Sequence, residues 1–140
     1  MREFKKILCP VDLDDISPDS LSLTRNIAER NGATVHLLTV VAARLAGPSE
    51  AAPGWQSMLI ARLRKVGRDW FGDKVPYETV LAQGDPAAAI VHAAVQLGTD
   101  LIVLATHGRK GFDRLVLGSV AERVVRESPK PVLTVRPQPA

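Results

Sequence analysis

Apolar positions along the chain fall into two alternating rhythms. Short, nearly unbroken apolar runs recur at Ile7–Val11, Thr34–Val41, Leu101–Ala105 and Val132–Val135. A run that is apolar on both faces predicts a strand covered by helices on both sides, as in a parallel sheet. Tyr77–Leu81 alternates instead, as a less buried strand should. Between the runs the spacing becomes helical. Leu21, Thr24, Ile27 and Ala28 share one face; so do Met58, Leu59, Leu63, Val66 and Trp70, with arginines opposite; so do Ile90, Ala93, Ala94 and Leu97. Ser17-Pro18 and Asp85-Pro86 each set a capping side chain before a proline at the first helical position. Asn31-Gly32, Gly72 and Gly98 supply stops. A last helix opens at Gly118-Ser119 and stops at Ser128-Pro129, and residues 43–54, with Gly47, Pro48, Pro53 and Gly54, read as a loop.

Strand and helix alternate four times before a final strand, within 140 residues. This predicts one α/β domain over residues 1–140, a doubly wound five-stranded parallel sheet with right-handed crossovers. Leu101–Ala105 is the most continuously apolar run and is placed at the sheet centre. In such sheets ligands lie beyond the carboxyl ends of the strands, where the winding reverses. Asp12 after the first strand and Thr106-His107-Gly108 after the fourth are the candidates for that crevice. Pro10 sits near the end of its strand, where a missing N–H costs least.

Composition narrows the function. Hydrophobic residues make up 46% and charged residues 24%, the balance of a globular chain. A chain of about this length buries roughly two-thirds of its unfolded surface and needs neither disulfide nor metal to fold. The 18 basic and 15 acidic residues leave +3, gathered at Arg62, Arg64, Lys65 and Arg68 and again at Arg109, Lys110 and Arg114. A nucleic-acid binder shows a denser basic stripe interleaved with aromatics; six aromatic residues in all do not supply one. A small anionic ligand suits this balance better. No run of about 18 apolar residues predicts a membrane span, and Met1–Ile7 lacks the apolar core of a secretion leader. A single cysteine, Cys9, fits a reducing cytoplasm; inside an apolar strand it reads as a small hydrophobe.

Candidate chemistry concentrates in the last third. Ser119-Val120-Ala121-Glu122 is a capping box, and Gly118 before it lets a ligand approach the backbone. The N–H groups and dipole of a helix N-terminus favour an anion. Gly108-Arg109-Lys110-Gly111 adds a basic turn upstream, so the segment reads as a phosphate cradle. Neither G-x-G-x-x-G nor the P-loop pattern occurs. Asp12, Asp14 and Asp15 resemble a receiver's acidic pocket, but Ala82–Pro86 offers only Asp85, which is better explained as a helix cap. His36 and His92 have no metal-ligand spacing, and His107 reads first as a structural loop residue.

Residues 101–136, from Leu-Ile-Val-Leu-Ala-Thr-His-Gly through Gly-Ser-Val-Ala-Glu-Arg-Val to Pro-Val-Leu-Thr-Val-Arg, resemble the C-terminal signature of the universal stress protein family. Val11-Asp12 resembles its N-terminal one. The resemblance implies strand order 3-2-1-4-5, a homodimer through Val132–Val135, and a cytoplasmic regulatory role in stress survival. The family divides into members that bind ATP and members that do not; binders carry G-x-x-G, nine residues, then G-[ST]. Here Gly108 matches the second glycine and Gly118-Ser119 the end of the pattern, while Ala105 stands at the first glycine.

By that resemblance Asp12 accepts hydrogen bonds from the ribose hydroxyls and Val40 packs on adenine. Gly108, Gly118 and Ser119 bind phosphate. The expected site comprises Pro10, Val11, Asp12, Val40, Ala105, Thr106, His107, Gly108, Arg109, Gly118, Ser119 and Val120. Taken alone, Asp12 also reads as a turn residue in Asp12-Leu-Asp-Asp, and Val40 as core. The expectation is an ATP-binding regulatory dimer, with Mg or Mn accompanying the triphosphate and hydrolysis slow at most. Its alternative is a dimeric interaction module of the same fold that binds no nucleotide. An enzyme of another kind is the third reading, and no catalytic constellation in the sequence supports it.

Overall fold

The computed structural model describes residues 3–42, 54–106 and 117–137. Its elements are β1 (Lys6–Pro10), α1 (Pro18–Asn31), β2 (Thr34–Val41), α2 (Trp55–Trp70), β3 (Tyr77–Gln83), α3 (Pro86–Gln96), β4 (Leu101–Ala105), α4 (Ser119–Glu127) and β5 (Val132–Val135). The five strands form one parallel sheet in the order β3-β2-β1-β4-β5. β1 therefore holds the middle, and β4 lies between β1 and β5. An apolar run reports burial on both faces, which β1 and β4 share, so it does not rank the two.

Successive strand residues face opposite sides of the sheet, and two cores result. Ile7, Cys9, Val35, Leu37, Leu101 and Val103 pack with Leu21 and Ala28 of α1 and Leu63 of α2. Leu8, Leu38, Ile102 and Leu104 pack with Ala87, Ile90 and Ala94 of α3 and Ala121 and Val124 of α4. Each buried Leu or Ile contributes about 1.5–3 kcal/mol. Cys9 is fully buried and its thiol is pushed up to about 11 by that burial, against a small opposing effect of the Thr24 hydroxyl 3.6 Å away. It is an inert core residue.

The helix starts bear out the Ser-Pro and Asp-Pro reading. Ser17 Oγ accepts the Ser20 N–H at 3.3 Å, and Asp85 Oδ2 accepts the Ala88 N–H at 3.0 Å; a proline follows each cap. Two other expectations change. Met58 is 64% exposed, and the residues that α2 buries fully are Leu63 and Gly67, one turn and more further on. The N-cap of α4 is Gly118, not Ser119. Gly118 has φ −62° and ψ 156°, with no side-chain cap bond, and the first backbone bond runs from the Glu122 N–H to Gly118 O at 2.8 Å. With Ser119 inside the helix, no capping box forms, and Glu122 pairs with Arg126 instead.

α2 meets β3 through a glycine. A Cβ on Gly67 would lie 2.2 Å from Tyr77 Cε2, inside the ring's own volume. The Tyr77 ring is in turn packed against Phe71, with centroids 6.0 Å apart. Alanine favours helix by up to about 1 kcal/mol, whereas overpacking of this kind costs about 1–3 kcal/mol. Gly67→Ala is therefore expected to lower stability by up to about 2 kcal/mol, the difference of those two effects. Urea unfolding measures it; an unchanged or raised midpoint would show that Tyr77 moves aside freely.

Candidate functional site

The site begins with a proline. β1 stays in register with β2 as far as Pro10↔Leu38, and the Val11 N–H continues the ladder to Leu38 O at 2.7 Å. Its pairing with β4 covers only Ile7↔Leu101 and Leu8↔Ile102. Alternate residues of an interior strand turn their amide groups to opposite neighbours, so position 10 faces β4. Pro10 has no N–H to give there. The two strands part beyond Leu8 and Ile102, at the point where the winding of the sheet reverses.

A cavity of about 490 Å³ occupies this opening, within the roughly 300–1,000 Å³ typical of small-molecule sites. Pro10, Val11, Thr39, Val40, Ala105 and Thr106 form its strand-end wall. Leu21 of α1, Leu59 and Arg62 of α2, Pro86 and Ile90 of α3, and Val120 of α4 close the sides. Among the described residues the lining is mainly apolar, and its charged side chains are Asp12, Asp14, Asp15 and Arg62.

Those charges belong to one compact turn. Asp12 is exposed and its Oδ1 accepts the Asp14 N–H at 2.9 Å, while the Asp15 N–H reaches Asp12 O at 3.0 Å. The turn reading of Asp12 is thus correct, and the same residue lines the cavity. A carboxylate can accept about four hydrogen bonds, so the turn does not exhaust it. Arg62 Nη2 donates to Leu13 O at 3.0 Å and lies 3.4 Å from Asp14 Oδ1. The sequence reading put Arg62 among the solvated arginines of α2.

The structure brings Pro10, Val11, Asp12, Val40, Ala105, Thr106 and Val120 together around the cavity. Gly118 and Ser119 stand just before Val120 at the start of α4 and are not part of the described wall. Thr106 bonds Val135 O through its N–H at 2.9 Å and its hydroxyl at 3.4 Å, which ties the end of β4 to β5. His107, Gly108 and Arg109 lie outside the described residues. Among the described residues no group of three His, Cys, Asp or Glu side chains could hold a metal ion, and no helix is long and apolar enough to cross a membrane.

His36 is buried in the sheet away from this cavity. Its Nδ1 lies 3.4 Å from Glu78 Oε2 without forming a hydrogen bond. Burial lowers its pKa, opposed by Glu78 and reinforced by Lys6, which favours the neutral ring.

The sequence pattern of the universal stress protein family matches residues 3–136. The chain belongs to the universal stress protein family. It is 33% identical over 143 residues to universal stress protein MJ0531 of Methanocaldococcus jannaschii, covering 95% of this chain and 82% of that one. Among solved structures, protein MJ0577 superposes with a TM-score of 0.80 at 25% identity, over 99% of this chain and 100% of that one. A universal stress protein in complex with cAMP superposes with a TM-score of 0.71 at 22% identity, over 96% of this chain and 98% of that one. This universal stress protein thus shares its fold with a relative that holds an adenine nucleotide.

Proposed function

We propose that this universal stress protein binds an adenine nucleotide, ATP first among them, in the cavity between β1 and β4. It acts as a cytoplasmic regulatory dimer in the stress response, with ATP hydrolysis slow at most. One observation carries the reading: Asp12, Val40, Ala105, Thr106 and Val120 come from four separate elements and their flanking loops yet line one cavity. In this reading the apolar strand-end wall, including Val40, takes the adenine. Asp12 at the rim takes the ribose hydroxyls, and the phosphates run toward Gly118-Ser119; the family resemblance assigns Gly108, His107 and Arg109, outside the described residues, to the same phosphates. A divalent cation, Mg or Mn, would accompany the triphosphate and be held chiefly by the phosphates.

The second reading is a nucleotide-free interaction module. Ala105 favours it, because the binders' pattern has glycine there and this alanine lines the cavity. Ultraviolet absorbance and mass spectrometry of the purified protein, followed by calorimetric titration with ATP, ADP, AMP and cAMP, separate the two. Saturable heat with micromolar ATP supports the nucleotide site. No copurified nucleotide, no heat and no thermal shift would favour the module.

Dimerisation rests on β5. All four of its residues are only half-buried, and it is one of the sheet's two edge strands, with β3 at the other. Pro131 O and Val135 O accept bonds from β4-side N–H groups, so the amide groups of Val132 and Thr134 turn outward. Such an edge pairs readily with a copy of itself, antiparallel about a two-fold axis. Thr134→Pro removes one outward donor and leaves the β4 ladder intact. Light scattering is expected to give the mass of two chains for the wild type and one for the variant at micromolar concentration. A wild-type mass of one chain would count against the dimer.

A further inference from the structure

We propose that Arg62 is a positioning residue that fixes the Asp12 carboxylate for the sugar of the bound nucleotide; this rests on the nucleotide reading of the cavity. The guanidinium donates to Leu13 O at 3.0 Å. Leu13 C=O and Asp14 N–H are the two ends of a single peptide group, which is planar. At the other end of that plane the Asp14 N–H is bonded to Asp12 Oδ1 at 2.9 Å. Arg62 therefore grips the oxygen of the very amide whose hydrogen holds the carboxylate. Polarisation through the amide strengthens the second bond as well as orienting it.

The contact with Asp14 Oδ1 at 3.4 Å is the lesser part. The two side chains are 49% and 89% exposed, and exposed ion pairs of this kind contribute little. What the second contact adds is direction, since it holds the guanidinium over the 13–14 peptide. Arg62 also sets a positive charge against Asp14, in a turn that carries the Asp12 and Asp15 carboxylates as well. The residue comes from α2, whereas the turn belongs to the β1–α1 connection, so the grip also fixes one wall of the cavity against another.

The test compares adenosine with 2′,3′-dideoxyadenosine, which lacks the hydroxyls that Asp12 would bind, on wild type, Arg62→Ala, Arg62→Gln and Arg62→Lys. Melting curves confirm folding. Wild type is expected to prefer adenosine. Arg62→Ala should lose about tenfold in adenosine affinity, the effect of one charge-assisted hydrogen bond, with dideoxyadenosine binding unchanged. Arg62→Lys should recover part of the preference, and Arg62→Gln less. Equal losses for both nucleosides would overturn the role, because Arg62 would then only shape the cavity. So would a loss for ATP with adenosine unchanged, which would make Arg62 a direct phosphate contact. If wild type binds adenosine and dideoxyadenosine alike, the sugar contact itself is wrong while the cavity remains a nucleotide site. If it binds no adenine compound, the nucleotide reading falls and this role falls with it.

Discussion

Asp12→Ala is expected to weaken adenosine and ATP binding about a hundredfold and to leave the chain folded. Hydrogen bonds to a charged group contribute about 1.5–3 kcal/mol each, and 2.8 kcal/mol corresponds to about a hundredfold. Asp12 is exposed and packs into neither core, so the global cost is confined to the turn that its Oδ1 closes with the Asp14 N–H. Asp12→Asn separates the two effects. Asparagine supports the same turn but offers the ribose a neutral oxygen, so its affinity should fall between those of wild type and Asp12→Ala. Isothermal titration with adenosine and dideoxyadenosine reads this directly. If Asp12→Ala binds adenosine as wild type does, Asp12 serves only the turn.

The second large effect concerns the start of α4. Its first intrahelical bond uses the Glu122 N–H, so the N–H groups of Ser119, Val120 and Ala121 precede the ladder. Such groups favour an anion. Gly118 sits at φ −62°, a conformation open to every residue. Gly118→Val should therefore fold without backbone strain and act only by occupying the space that a phosphate needs. ATP affinity is expected to fall about a hundredfold, with adenosine nearly unchanged. Ser119→Ala should cost little stability, because Ser119 makes no cap bond; a true N-cap serine would cost about 1 kcal/mol. Its ATP affinity should still drop about tenfold through the lost hydroxyl. Equal losses of ATP and adenosine in these variants would place the phosphates elsewhere.

The sequence carried the architecture because its signals are local. Ser17-Pro18 and Asp85-Pro86 fix two helix starts within their own turns, and Gly32, with φ 62°, closes α1 in the left-handed region that glycine favours. Strand order is not local, and the apolar run at Leu101–Ala105 pointed to the centre when β1 occupies it. The order 3-2-1-4-5 came with the family resemblance, not with the pattern.

At the site, Asp12 was legible because it follows a strand end, and Val40 because it closes β2. Arg62 was not, because its role depends on where α2 lands beside the β1–α1 turn. The same tertiary placement left Met58 outside: its spacing fits the apolar stripe, but the stripe meets the core further along, at Leu63, Val66 and Trp70. Ser119 differs by a single position. A Ser-x-x-Glu spacing reads as a capping box only when the serine precedes the helix, and here Gly118 takes that place.

The most direct measurement is a backbone amide NMR titration of the protein with ATP. The account predicts saturable shifts centred on Val11 and Asp12, on Thr39–Val41, on Ala105 and Thr106 and on the first turn of α4, with Lys5, Lys6 and Asp100 at the opposite end of the sheet unmoved. Saturable shifts confined to β5 or to the outer faces of the helices, or no saturable shift at millimolar ATP, would contradict it.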